Sequence, residues 1–318
     1  MSKPSRIVGL DVARSLAIIG MIVIHMASLL WSTKVILSGL PASLFAVIAG
    51  VTMMIIGRNY TSTTFLRLIA RGSLIILIGL ALLPVGGQIQ VVLIVMGLVM
   101  ILVSWMPALG TWWRLGLFIA ATIAATIVYA PIGLPQIYPL LAWIAYFIGG
   151  MLLFDVYLRG RLQRTPDANS TPHTRLSWIV TAISVVIAGI GIYFRFDPNI
   201  PSWLSFTGHT GVLGEVILAV AVAAVVIHLC LIVGDHSRIV AYPFAAMGTM
   251  SLTIYILHIL TAFYWQQNVA LHSTVSAIGF IVFFLIAASL WKKFVGQGPA
   301  EKLVATTIKA IVPSQKGN

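Results

Sequence analysis

Arg14 and His25 stand eleven residues apart in the stretch LDVARSLAIIGMIVIH, and Asp11 stands three residues before the arginine. At about 100° per residue, eleven positions turn roughly 1100°, about 20° past three full turns. The arginine and the histidine therefore share one helix face, about 16 Å apart along the axis. Asp11 lies about one turn before Arg14 on roughly the same face. The helix carries a polar stripe, with an ion pair at one end and a histidine at the other. Arginine binds phosphate through a planar fork. Histidine gives and takes protons near neutral pH. The plainer readings are an interfacial anchor pair for Asp11 and Arg14 and a helix–helix hydrogen bond for His25.

Other groups could join this stripe. His209 opens the stretch GHTGVLGEV near the start of an apolar run, and Glu215 lies about 9 Å deeper if that run is one helix. An unpaired ionised Glu inside a membrane is costly, so Glu215 is expected to bond a His or an Arg, or to be protonated. In SLTIYILH, Ser251, Tyr255 and His258 share a face by i, i+4, i+7 spacing. Arg67 and Arg71 are four apart and are expected to point the same way, forming a phosphate-binding funnel beside Arg14. Their plainer role is ordinary flanking charge. His228, in VVIHLCL, has no polar neighbours in sequence and reads as a bonded core histidine. The histidines are scattered singly without HExxH spacing, and Cys230 is the single cysteine, so neither a metal centre nor a disulfide is expected.

The elements that hold these residues follow from composition. The 318-residue chain is 60% hydrophobic and 8% charged, with mean hydropathy +1.05. Soluble domains carry about 25% charged residues. Apolar runs of membrane length recur throughout, so the chain reads as an all-α, multi-pass membrane protein. Unbroken rather than alternating runs favour helices over a barrel. About ten spans are expected, near 11–31, 41–57, 64–84, 89–106, 112–131, 137–155, 176–194, 209–233, 241–264 and 272–291. They form a single transmembrane domain over 1–318, with a polar connection at 157–175 and no cleaved signal peptide.

Placing the N-terminus in the cytoplasm leaves only Lys34 and Arg195, of nineteen Lys and Arg, facing outward. Both termini are then cytoplasmic, in a plasma membrane. The +12 net charge orients helices on this reading. No basic cluster is interleaved with aromatics, so no nucleic-acid partner is expected. Gly149-Gly150 permits close helix packing, and Tyr138 and Trp143 fit an interfacial belt.

Arg14-x10-His25, preceded by LDVAR, resembles the first helix of integral-membrane acyltransferases of the acyltransferase-3 type. The stretches YPLLAWIAYFIGGMLL, GHTGVLGEV and MSLTIYILH resemble a sister group, the bacterial proteins with a heparan-α-glucosaminide N-acetyltransferase-like catalytic domain. Together these motifs cover nearly the whole chain. Three departures stand out. Ser15 replaces a usual Gly, Arg67 and Arg71 have three residues between them rather than two, and the outer loop 31–40 lacks the histidine of the heparan branch. His25, His209 or His258 is then left as the base.

The resemblance implies transfer of an acyl group, most simply acetyl, from cytoplasmic acyl-CoA to a hydroxyl or amine at the outer face. The acceptor would be a glycan or a small molecule, and the enzyme a homodimer. On this reading Arg14, Arg67, Arg71 and Asp11 serve the acetyl-CoA phosphates, and His25, His209, Glu215 and His258 serve catalysis. The rival reading is a transporter or flippase, which would also use intramembrane His, Glu and Arg.

Overall fold

The computed structural model describes residues 6–87, 89–163, 173–268 and 273–313. Every regular element among them is helical. Eight helical segments are long and apolar enough to cross a membrane. They contain α1 (Val8–Met26), the pair α2 (Trp31–Leu37) and α3 (Leu40–Ile56), α4 (Ser62–Leu82), α6 (Thr111–Tyr129), α7 (Leu140–Tyr157), α9 (Arg175–Phe194), α10 (Leu213–His236) and α13 (Thr274–Phe294). Shorter helices are α5 (Leu93–Leu102), α8 (Arg159–Gln163), α11 (Arg238–Thr249), α12 (Ser251–Asn268) and α14 (Pro299–Ile311).

The helices sort into two rings. Between 56% and 67% of the apolar windows of α1, α2–α3, α7 and α10 is buried, against 11–22% for α4, α6, α9 and α13. The first set is the core; the second shows apolar side chains such as Ile127, Val186 and Phe283 outward, as a lipid-facing ring must. α1 lies near the centre, against α3, α10, α11, α12 and α13. α3 and α7 approach so closely that a Cβ on Gly50 would meet the Phe147 carbonyl at 2.0 Å, and one on Gly150 the Val47 carbonyl at 1.9 Å. The close packing expected of Gly149-Gly150 is thus located at Gly150.

Three expected elements differ. The run 89–106 holds a ten-residue helix, α5, about 15 Å long, half of a hydrocarbon core. Most of its apolar residues, Leu93, Val95, Met96, Val99 and Met100 among them, are buried against α4 and α7, while Leu98 and Leu102 stay exposed. The run 241–264 is two helices, α11 and α12, bent by 72°. The bend leaves the first amides of α12 to find acceptors outside the helix. The expected helix 209–233 begins later, at Leu213, because His209 and Gly211 take left-handed backbone (φ 69° and 72°) in the preceding loop. Counting the bent pair as one crossing gives nine candidate spans among the described residues.

The amphipathic helix α14 was not legible as a span. Val304 and Ile308 bury its apolar side, and it packs on α4 and α12.

Candidate functional site

α1 places a chamber at each of its ends. The first, about 510 Å³, is lined by Arg6, Arg14, Arg71, Lys292 and Glu301 over an apolar floor that includes Phe45, Ile48 and Met96. Four cations against one carboxylate make it strongly basic. Asp11 is buried and sits behind Arg14 rather than on the lining. Its carboxylate accepts from Arg6 Nε at 2.6 Å and Arg14 Nη1 at 2.5 Å. Arg14 Nη2 also donates to Thr52 Oγ1 at 2.7 Å, and Thr52 donates to the Ile48 carbonyl. Two fixed bonds on the guanidinium set its direction. α11 crosses α1 at this point, where a Cβ on Gly248 would meet the Asp11 carbonyl at 1.7 Å.

Arg71 lies within electrostatic reach of Arg14 and Glu301. Arg67 does not share its direction. It donates through Nε and Nη2 to the Val312 carbonyl at 3.4 Å and is absent from the chamber lining. The C-terminal end of α14 leaves carbonyls without helical partners, and one of them takes Arg67. The common funnel of Arg67 and Arg71 is therefore corrected to Arg71 alone, joined by Arg6 and Lys292.

Glu301 is turned to the bend. Its carboxylate accepts from Leu252 N at 2.7 Å, Thr253 N at 3.2 Å and Thr253 Oγ1 at 2.6 Å. It caps α12 from outside the helix and faces the positive end of the α12 dipole.

The second chamber comprises two adjoining cavities of about 110 and 280 Å³ that share His25, Gln90, Tyr138 and His209. Lys34, Ser38, Val92 and Tyr255 complete the first. The His25 and His258 rings lie parallel, centroids 6.1 Å apart. His258 is buried behind the chamber, its ring near the Ile254 and Tyr255 carbonyls of its own helix, and His25 Nδ1 is without a partner. A buried polar atom without a partner costs about 1–3 kcal/mol, and His25 Nδ1 borders a cavity where a bound group could supply one. His209 is brought to the same chamber by its loop rather than by a helix.

Glu215 holds that loop. Its carboxylate accepts from His209 N at 2.7 Å, Gly211 N at 2.6 Å and Thr210 Oγ1 at 3.2 Å. The Tyr146 hydroxyl also bonds it and Arg195 lies within electrostatic reach, so the expected arginine acts at a distance while backbone amides at the α10 N-terminus, where an anion is favoured, make the direct bonds. Glu215 does not line either cavity of the chamber. Arg195 performs the matching task for the 31–39 segment. Its Nη1 donates to the Val35 and Ile36 carbonyls at 2.7 Å and to Ser38 O at 3.0 Å.

The two chambers meet back to back. On α3, Ala42 lines one and Phe45 the other; Val92 and Leu93 divide likewise, and so do Tyr255 and Leu252 on α12. Residues three apart on α3 and α12 thus line opposite chambers, while on α1 the nearest such pair, Arg14 and Met21, is seven apart, about 10 Å along the axis.

A separate cluster surrounds His228, which is a buried and bonded core histidine, as expected. Its Nδ1 meets Thr181 Oγ1 at 2.7 Å, its Nε2 meets His173 Nδ1 at 3.1 Å, and His173 Nε2 meets Asp235 at 3.3 Å. Burial lowers the His173 pKa, with Asp235 opposing. These partners come from α9 and the loop before it, so local sequence could not show them.

Sequence reasoning gave no site role to Arg6, Thr52, Tyr255, Lys292 or Glu301. The signal for Lys292 was its place beside Lys293 at an apolar run's end. For Glu301 it was the PAEKLV start of an amphipathic stretch. No described group of three or more His, Cys, Asp or Glu could hold a metal ion.

Residues 157–309 match the model of a family of membrane proteins described as a protein of unknown function (DUF418), and no curated protein matches the chain. The matched stretch includes Glu215, Tyr255, His258 and Glu301, while Arg14 and His25 precede it.

Proposed function

We propose that this protein is a membrane acyltransferase. It takes an acyl group, most simply acetyl, from acyl-CoA at the cytoplasmic face of the plasma membrane. It delivers that group to a hydroxyl or amine of a glycan or small-molecule acceptor at the opposite face. The observation that carries the reading is the pair of chambers back to back, one basic and one lined by His25 and His209. CoA is polyanionic, and Arg6, Arg14, Arg71 and Lys292 would neutralise its phosphates. An extended pantetheine arm would cross the one to two helical turns between the chambers and bring the thioester to the far side. There His25 removes the acceptor proton as the acceptor attacks the thioester carbonyl. The carbon–sulfur bond breaks, and the CoA sulfur leaves as thiolate and takes that proton to form the thiol.

One observation favours the rival reading. The 72° bend between α11 and α12, with the α12 N-terminus at the basic chamber, is the kind of broken helix that transporters use to bind anions. A transporter would bind a polar solute and leave thioesters intact.

Titration calorimetry with CoA on protein in lipid nanodiscs tests the donor site. Arg14→Ala and Arg71→Ala should each weaken binding by about 1.5–3 kcal/mol, the range for charge-assisted hydrogen bonds. Arg67→Ala, on the Val312 carbonyl, should weaken it less than either. Unchanged affinity in Arg14→Ala and Arg71→Ala would reduce these residues to orienting charges.

A further inference from the structure

Tyr255 is the polar group that stands in the partition itself. Its hydroxyl oxygen accepts from the Val92 backbone N–H at 3.0 Å, and the side chain is buried. Val92 caps the N-terminus of α5. Both residues line the histidine chamber, while Leu252 and Leu93, their neighbours along the same elements, line the basic one. A phenol has one donor and two acceptor positions. The Val92 bond uses one acceptor position, and no protein acceptor takes the hydroxyl proton among the described residues. The donor is therefore available to whatever enters the chamber. An N–H at a helix N-terminus, donating to the phenol oxygen, polarises the O–H and strengthens it as a donor.

We infer that the Tyr255 hydroxyl donates the hydrogen bond that stabilises the oxyanion of acyl transfer. The inference rests on the acyl-transfer reading above. When the acceptor oxygen or nitrogen bonds to the thioester carbon, its proton passes to His25 and the carbonyl π electrons move onto oxygen. That oxygen, now negative, accepts from Tyr255. As the carbonyl reforms, the carbon–sulfur bond breaks and the thiolate takes the proton from His25. The products are the acylated acceptor and CoA thiol. His25 and Tyr255 border one cavity, and the His258 ring stands edge-on to Tyr255 at 5.0 Å. A purely structural role, as a tertiary cap for α5, accounts for the Val92 bond. It leaves unexplained why the hydroxyl proton, without a described protein acceptor, borders the same cavity as His25.

The test uses the full chain in membranes that supply the acceptor, with acetyl-CoA as probe and CoA thiol release as readout. Removing one oxyanion donor typically costs 10²–10³-fold in kcat. Tyr255→Phe should lose kcat by about that factor while KM for acetyl-CoA holds within about twofold. Tyr255→Phe also strands the Val92 amide and lowers stability, so a second variant carries 3-fluorotyrosine at 255. That residue keeps the hydroxyl and the Val92 bond but has a more acidic O–H, and it should raise kcat above wild type. Wild-type kcat in Tyr255→Phe would overturn the inference. So would a Tyr255→Phe loss that merely tracks the folded fraction while the fluorinated protein matches wild type. Failure of the wild type to cleave acetyl-CoA takes down the acyl-transfer reading itself, and is told apart because it precedes any substitution.

Discussion

His25 and His258 face each other in parallel, and His25 Nδ1 has no hydrogen-bond partner. A histidine that held helices together would have spent that nitrogen on a partner. His25→Ala should therefore lower turnover by about 10²–10⁴-fold, the usual loss for a general base. CoA affinity and Tm should stay near wild type. His25→Asn is the sharper variant, because it keeps a hydrogen-bonding side chain while removing the titratable ring. Retained activity in it would shift the base to His209 or His258. Glu215 should behave oppositely. Glu215→Ala strands the His209 and Gly211 amides, each worth about 1–3 kcal/mol if left buried and unpaired. It should show first as a lower Tm and only then as lost activity; an unchanged Tm would contradict the loop-holding role. The contrast explains what was legible. Arg14 and His25 sit on one regular helix, whose geometry follows from spacing. The partners of Glu215 exist only because the next loop turns through left-handed backbone at His209 and Gly211, which no periodicity encodes.

At the scale of elements, the apolar runs were read as full crossings wherever they were long enough. That reading held for α1, α3, α4, α6, α7, α9 and α13. It missed where burial against protein imitates burial in lipid. α5 is as apolar as a span but half the length, and α11–α12 is one run folded by 72°. α14 was missed because its apolar stripe covers protein on one side only. It wedges Glu301 onto the first amides of α12, so it works as a splint for the bend. Glu301→Ala should cost about 0.5–2 kcal/mol in thermal unfolding, the range for lost N-caps. It should also open α14 to proteolysis ahead of the helices it packs on. Equal protease resistance in wild type and variant would show that α14 is held by Val304 and Ile308 without it.

For the whole molecule, a buried ring around α1 inside a lipid-facing ring holds two chambers separated by Ala42, Phe45, Val92, Leu93, Leu252 and Tyr255. The all-helical, multi-pass class was legible from composition. The chambers were not, because they form from helices distant in sequence. Orientation rests on charge. A cysteine at Lys34 should react with a membrane-impermeant reagent in intact cells, and one at Lys309 only after permeabilisation. The reverse pattern would exchange the donor and acceptor faces. The most direct measurement of the central claim is CoA thiol release from acetyl-CoA by the purified chain in nanodiscs, with extracted membrane acceptors present. The account predicts release by the wild type, abolished in His25→Ala while CoA still binds. Intact acetyl-CoA under those conditions, together with uptake of a polar solute by protein-loaded vesicles, would contradict it and leave a transporter in its place.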